Sequence, residues 1–275
     1  MQALNFTNLD SVELRQYIAD NDENNYTVID VRQPEEYEIS HIPGSTLIPL
    51  PTLIQDNSPL PKSGELIFMC RSGARSRAAS IFASSVVPDD QKVYNLSGGI
   101  MDWFGKTLEG RPGVQLLGDY TNFNSVIMSA MNLEKGAFNF YKAILEKFPD
   151  ESFTNSMEFL SLAEEEHAKA LYRILEKRNG RLDQTFGELF SSLKGDIMEG
   201  GMSLDSAMDH LNSIEEDRAV HTLDLCIDIE FSAFDLYKNA ARIIDDPEIK
   251  KILQDIANGE KNHMKKLADS FTMID

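Results

Sequence analysis

Ala163-Glu164-Glu165-Glu166-His167 and Gly259-Glu260-Lys261-Asn262-His263 each hold a glutamate and a histidine three residues apart. On a helix, positions i and i+3 project from one face, so each string presents a carboxylate and an imidazole together. Thirty residues before each pair lies another glutamate, Glu134 ahead of Glu164 and Glu230 ahead of Glu260, and the two sets are offset by 96 residues. The offset extends further: Glu134, Ala137, Phe138, Tyr141 and Lys142 match Glu230, Ala233, Phe234, Tyr237 and Lys238, while Lys169 and Leu171 match Lys265 and Leu267. A repeated helical hairpin accounts for this. Two hairpins about a pseudo-twofold axis would bring four glutamates and two histidines into one bundle core. One such pair alone would read as part of a solvated helix face, because glutamate is abundant here; two at matched spacing inside a repeat argue for a shared site. Phe138, Tyr141, Phe234 and Tyr237 flank the lone glutamates and place them on apolar stripes, where buried charges of one sign need a cation. Carboxylate oxygens with one imidazole per metal suit iron or manganese.

Outward from these motifs, apolar residues three and four apart run from about Leu116 to the end, broken at Phe148-Pro149-Asp150, Asn179-Gly180 and Asp245-Asp246-Pro247. The spacing predicts four long helices. The stretch from Arg181 to about His210, with Gly187, Gly195, Gly200 and Gly201, reads as a crossover holding one or two short helices. Before Glu109-Gly110-Arg111-Pro112-Gly113, a natural linker, the texture differs. Short apolar runs, Tyr26 to Val31, Leu66 to Cys70 and Lys92 to Leu96, alternate with helical stretches and Gly/Pro turns. That rhythm predicts a parallel α/β domain with its ligand site at the strand C-termini. The expected organisation is therefore two domains: residues 1–112, a parallel sheet flanked by helices, and residues 113–275, an all-α four-helix bundle.

Cys70 closes the apolar run Leu66 to Met69 and opens Cys70-Arg71-Ser72-Gly73-Ala74-Arg75-Ser76-Arg77, after which Ala78 to Ala83 reads as a helix. Strand, tight loop and helix make an anion cradle. Its backbone N–H groups and the positive helix end can hold an anion and lower a thiol pKa. An isolated cysteine would be read as a small buried hydrophobe, but packing does not call for a loop of Ser, Gly and Arg. A phosphatase loop is the competing cradle; it separates cysteine and arginine by five residues, whereas four separate Cys70 from Arg75.

These residues resemble the active-site loop of rhodanese-type sulfurtransferase domains. Asp30-Val31-Arg32, Glu35-Glu36-Tyr37 and His41-Ile42-Pro43-Gly44, then Asn95-Leu96-Ser97-Gly98-Gly99-Ile100 with Trp103, are similar to two further motifs of that family. The resemblance spans about residues 5 to 110. It implies a catalytic Cys70 that carries sulfur as a persulfide, with Arg71, Ser72, Gly73, Ala74, Arg75 and Ser76 forming the substrate-binding loop. Arg71 and Arg75 would orient an anionic sulfane-sulfur donor such as thiosulfate, and a thiol or cyanide would accept the sulfur. A triad of Cys70 with Asp30 and His41 is the weaker reading: His41 beside Pro43-Gly44 suits a turn, and Asp30 at a strand end suits a loop brace.

Residues 118 to 272 resemble the ferritin-like domain of rubrerythrins and related di-iron proteins, the string Ala163 to Leu171 most closely. The implied cofactor is two iron ions, with manganese or a mixed pair as alternatives. The implied ligands are Glu134, Glu164, His167, Glu230, Glu260 and His263, with Glu164 or Glu260 as bridges. Two departures stand out. Ala233 occupies a place where such domains usually carry another glutamate, and two cysteines cannot supply their usual four-cysteine electron-transfer module. Electrons would therefore come from an external donor protein. Cys226, four residues before Glu230, shares its helix face and reads as a small buried hydrophobe; a sulfur relay from Cys70 to Cys226 is the bolder alternative.

Composition bounds the rest. With 45 acidic against 26 basic residues the formal charge is -19, which repels nucleic acid. The excess is -6 in residues 1–115 and -13 in residues 116–275. Two cysteines exclude a disulfide framework. The residues before Asn5 hold no charged or apolar leader pattern, and no apolar run approaches the ~18 residues that span a membrane. A cytoplasmic protein with no membrane partner is expected, assembled as a homodimer. The expected activity is bifunctional, sulfur transfer at Cys70 joined to a di-iron oxidoreductase reducing peroxide. The alternative is a ferritin-like iron store carrying a sulfur-carrier or docking domain without turnover.

Overall fold

The computed structural model describes residues 6–272 except Asp56 and Asp150, together with Ile274. The leader reading of the residues up to Asn5, and Asp150 of the first helix break, lie outside these. The chain divides into two compact units between Arg111 and Pro112.

In the first unit five strands, β1 (Thr7–Leu9), β2 (Tyr26–Asp30), β3 (Thr46–Leu47), β4 (Glu65–Met69) and β5 (Val93–Leu96), pair in the order β1-β5-β4-β2-β3, every pair parallel. Four helices intervene: α1 (Ser11–Asp20), α2 (Pro34–Ile39), α3 (Leu50–Leu53) and α4 (Ala74–Val86). All of β2 is buried, as are Leu66 to Met69 of β4. This is the burial expected of central parallel strands covered on both faces, and it explains why apolar residues dominate both. Because the strands are parallel, the segments after β2, β4 and β5 meet at one edge of the sheet. Asp30-Val31-Arg32, the loop opening at Cys70, and Ser97-Gly98-Gly99 therefore converge.

The second unit contains α5 (Phe123–Lys147), α6 (Thr154–Asn179), α7 (Phe186–Ser192), α8 (Leu204–Asn212), α9 (Arg218–Ile243) and α10 (Pro247–Phe271). The four long helices form two hairpins, α5 with α6 and α9 with α10. Their ends follow the sequence signals. Gly180 (φ +81°) stops α6, and Asp246 caps α10 by accepting from the amides of Glu248 and Ile249 ahead of Pro247. Two apolar clusters fill the bundle. One gathers Val126 to Leu133, Leu171 to Leu175, Ala233 to Ile244 and Ile249 to Ala257; the other gathers Ala137 to Phe148, Met157 to Leu160, Leu223 to Ile229 and Leu267. On each helix the switch from one cluster to the other falls at the Glu or Glu/His positions, so those residues form a polar layer between two apolar ones. Among the described residues no helix is long and apolar enough to cross a membrane.

The crossover holds α7 and α8 and, between them, a tight strap. Ile197 pairs antiparallel with Ser203, and a 3-10 turn occupies Glu199–Gly201. Helix α5 accepts the strap through Gly136, where a Cβ would fall against the Ile197 carbonyl, far inside van der Waals contact. Gly136→Ala should gain about 1 kcal/mol from helix propensity alone. We expect instead a net loss of stability in denaturant unfolding, because the strap must move; a stabilised variant would contradict this packing.

Candidate functional site

Cys70 is buried at the end of β4, and its sulfur receives hydrogen bonds from the Gly73 amide at 3.2 Å and the Ser76 hydroxyl at 3.4 Å. Burial pushes the thiol pKa up, but the Ser76 hydroxyl and the amides of Ser76, Ser72 and Gly73 outweigh it, so the net shift is down. The loop is clamped from the turn after β5: the Ile100 and Met101 amides donate to the Cys70 and Arg71 carbonyls at 2.8 and 3.1 Å. Gly99, at φ +64°, lies so close to these carbonyls that a Cβ would overlap the Cys70 oxygen.

The structure gives Arg75 a partner outside its loop. Its guanidinium forks onto Glu36 at 2.6 and 2.7 Å and holds that carboxyl down at about 2, so this arginine braces the loop against α2. Arg71, Ser72 and Ala74 are exposed, whereas Gly73 and Ser76 are buried against the sulfur. Asp30 grips Arg32 through a buried pair at 2.6 Å, and Arg32 also donates to the Ser40 carbonyl. His41 stacks on Tyr37 with ring centroids 4.1 Å apart, and its backbone pairs with Leu108. Asp30 behaves as the expected brace, whereas His41, expected in a turn, is held by a bridge to Leu108.

In the bundle, α5 supplies Glu134, α6 supplies Glu164 and His167, α9 supplies Glu230, and α10 supplies Glu260 and His263. All are buried except His167, which is half-buried. The structure brings the six together as two overlapping groups, Glu134, Glu164, His167 and Glu260, and Glu164, Glu230, Glu260 and His263. Glu164 and Glu260 belong to both. Glu164 turns Oε2 to His167 Nδ1 and Oε1 to His263 Nδ1, both at 3.3 Å; Glu260 turns Oε1 to His167 Nδ1 at 3.3 Å and Oε2 to His263 Nδ1 at 2.8 Å. Each of these two carboxylates thus offers one oxygen to each half of the site. Glu134 and Glu230 each serve one half, at 3.2 Å from His167 and 3.0 Å from His263. Tyr237 donates to Glu134 and Tyr141 to Glu230, so each tyrosine steadies the lone glutamate of the opposite hairpin.

This donor set fits a pair of hard metal ions. Four buried carboxylates converge with two imidazoles, and Glu260 Oε2 makes no aligned hydrogen bond despite its close imidazole. Burial drives Glu134 up to about 8 and Glu230 well above its usual range. For Glu164 and Glu260 burial is overcome by the two imidazoles, and both are lowered; for the imidazoles burial is overcome by the carboxylates, chiefly Glu260, and both are raised.

A seventh polar group, absent from the sequence reading, enters from the strap: Glu199 is 3% exposed and lies beside Tyr237. A lone acid in a glycine-rich loop carries no periodic signal, and Ala233, where another glutamate might stand, is packed in an apolar cluster. Phe138 also departs from expectation: it is half-buried and packs edge-on against Phe190 of α7. Cys226 is fully buried in the apolar layer, its thiol donating to the Met157 sulfur at 3.8 Å, and burial raises its pKa. That supports the small-hydrophobe reading over a sulfur relay.

Two outcomes follow from this geometry. Metal binding must displace protons from raised imidazoles and from Glu134, so apparent affinity rises with pH between 6 and 8; titration calorimetry in buffers of different ionisation enthalpy should show net proton release, and a pH-independent affinity would contradict the cluster. A Cβ at Gly259 would overlap His167 Nε2, so Gly259→Ala should displace that imidazole and lower metal content at the His167 half, read by metal analysis.

Comparison with known proteins agrees with both halves. The family profile for the rhodanese-like domain matches residues 13–106, and that for rubrerythrin matches residues 125–215 and 221–275, more than half of the chain. The first half is similar to YrkF of Bacillus subtilis, provisionally named a sulfur carrier protein, at 37% identity over 97 residues, 35% of this chain; the match spans about half, 51%, of that relative's length. A sulfurtransferase of Allochromatium vinosum is 33% identical over 95 residues, covering 34% of this chain and 85% of that protein. A thiosulfate:glutathione sulfurtransferase of Saccharomyces cerevisiae is 34% identical over 118 residues, covering 37% and 83%. With its helical half matched along nearly its whole length and a sulfurtransferase-like sheet ahead of it, the chain belongs to the rubrerythrin family and carries a rhodanese-like domain fused to its N-terminal side.

Proposed function

We propose that the chain is a bifunctional sulfur and redox enzyme, transferring sulfane sulfur at Cys70 and reducing peroxide at a di-iron site built from Glu134, Glu164, His167, Glu230, Glu260 and His263. The observation that carries the sulfur role is the donor cradle on Cys70 Sγ. The Cys70 thiolate attacks the outer sulfur of thiosulfate; the new S–S bond forms as the old one breaks, and sulfite leaves with the electron pair. The terminal persulfide anion then needs the same donors that held the thiolate, so one loop serves both states. A thiol or cyanide takes the outer sulfur and returns Cys70 to thiolate. Arg71, exposed at the loop, supplies the positive charge an anionic donor needs, since Arg75 is committed to Glu36.

The redox role rests on the divided oxygens of Glu164 and Glu260. When bound there, a di-iron pair supplies the two-electron reduction that peroxide requires. The chain's own groups do the rest. Tyr141 and Tyr237 fix two carboxylates by O–H donation, and the apolar layers above and below keep water from the cluster. Two cysteines in the whole sequence leave electron supply to a separate donor protein.

The sulfur role is tested by thiosulfate-to-cyanide transfer: Cys70→Ala should fall to the uncatalysed background, and mass spectrometry should find one added sulfur on Cys70 in the wild type alone. Equal rates would remove this role. Iron-grown protein should hold about two metals per chain and consume peroxide when given a reductant. Less than one metal per chain, or no peroxide consumption by a loaded sample, would overturn the redox role.

A further inference from the structure

Glu199 is a buried carboxylate of the helical unit that the internal repeat does not explain. Stepping back by the 96-residue offset leads to Trp103, in the other unit, so Glu199 has no counterpart. It nonetheless reaches the same interior. Its side chain is 3% exposed, and its Oε2 has no hydrogen-bond partner. Its Oε1 makes a long contact, 3.5 Å, with the Tyr237 hydroxyl, which is already committed to Glu134, and the carboxylate's other near donor is its own backbone amide. One phenol oxygen therefore sits between two carboxylates, and Glu199 feels the charges of Glu134, Glu164 and Glu260, Glu134 most strongly. A buried carboxylate with an unpartnered oxygen is costly unless something outside the protein's own hydrogen-bonding groups completes it.

The backbone holds Glu199 in place. Beyond the Ile197 and Ser203 pairing, the Met198 amide donates to the Met202 carbonyl at 2.9 Å and the Gly201 amide to the Met198 carbonyl at 3.0 Å. Asn132 and Asn139 of α5 bond the two sides of Gly195, each at 3.0 Å. Gly200, at φ +83°, presses so close to α9 that a Cβ would come within 2.6 Å of Ser232 Cβ. A strap laced to α5 and seated without a side chain against α9 fixes where Glu199 points.

We propose that Glu199 is a seventh protein ligand of the metal pair, supplied by the crossover strap to the metal on the His167 side and to that metal alone. This deepens the di-metal reading above and rests on it. That half of the site then has Glu134, Glu164, His167, Glu260 and Glu199, whereas the other keeps Glu164, Glu230, Glu260 and His263. The two positions are therefore unequal although the helices that build them are repeated. The extra carboxylate makes the His167 position the tighter one for a hard cation.

The test uses the full chain with Mn(II) alone as probe, followed by calorimetry, metal analysis and electron paramagnetic resonance. The wild type should bind two ions in two steps of different affinity. Glu199→Gln should weaken one step by about tenfold or more and bring the two steps together. Without metal its melting temperature should be unchanged or higher, because an amide replaces an unpartnered carboxylate. Glu199→Asp, which keeps the charge but draws the oxygens back, should weaken the same step and guards against a folding defect in the first variant; Glu215→Gln, an exposed acid of the same crossover, should change neither. Two wild-type ions with both Glu199 variants inside twofold of wild-type affinity would overturn this inference and leave the di-metal reading standing. A wild type that binds less than one ion would overturn both.

Discussion

Burying negative charge is the constraint on which both units depend. In the bundle, four helices each deliver carboxylates into a layer closed above and below by apolar side chains, where water cannot solvate them. The layer holds together because each carboxylate is answered. Glu134 and Glu230 receive tyrosine hydroxyls, while Glu164 and Glu260 face both imidazoles. Cations suit such a layer, and the excess acidity of the helical half becomes intelligible as ligand supply. In the sheet unit the same problem recurs at Asp30, which Arg32 answers, and at Cys70, where it is met without a cation. Backbone amides and a serine hydroxyl stabilise the thiolate, and positive side chains remain at the rim.

Close approach between backbones does much of the positioning. The Cys70 loop is held in shape by a turn from the neighbouring strand that only Gly99 lets come so near. His167 keeps its place because Gly259 leaves room on the facing helix, and the strap reaches the bundle because Gly136 lies under it. These glycines carry no chemistry, yet each decides where a chemical group points. Their effect is steric and local, and the groups they position lie on other elements.

Much of the candidate site was legible in the sequence because helical geometry is local. A glutamate and a histidine three apart share a face whatever the fold, and a 96-residue repeat implies a repeated hairpin. The parallel sheet was legible for a similar reason: short, mostly apolar runs such as Tyr26 to Val31, bounded by turns and helical stretches, suit strands covered on both faces. The pairing of Arg75 was not legible because its partner, Glu36, lies 39 residues away, and nothing in the loop's own composition reveals it. Phe138 shares the repeat yet turns toward α7, since a repeat in sequence does not guarantee the same neighbours.

By itself, then, the sequence determined the two-part architecture, the cysteine cradle and the six Glu and His candidates, all of them consequences of spacing along one element or between matched ones. The tertiary structure alone decided three things: that Glu164 and Glu260 divide their oxygens between two histidines, that Arg75 is neutralised by α2, and that Glu199 reaches the bundle interior. Each depends on which surfaces meet after folding. Periodicity can tell which face of a helix a residue occupies, but burial and pairing across a crossover are set by contacts between segments far apart in the chain.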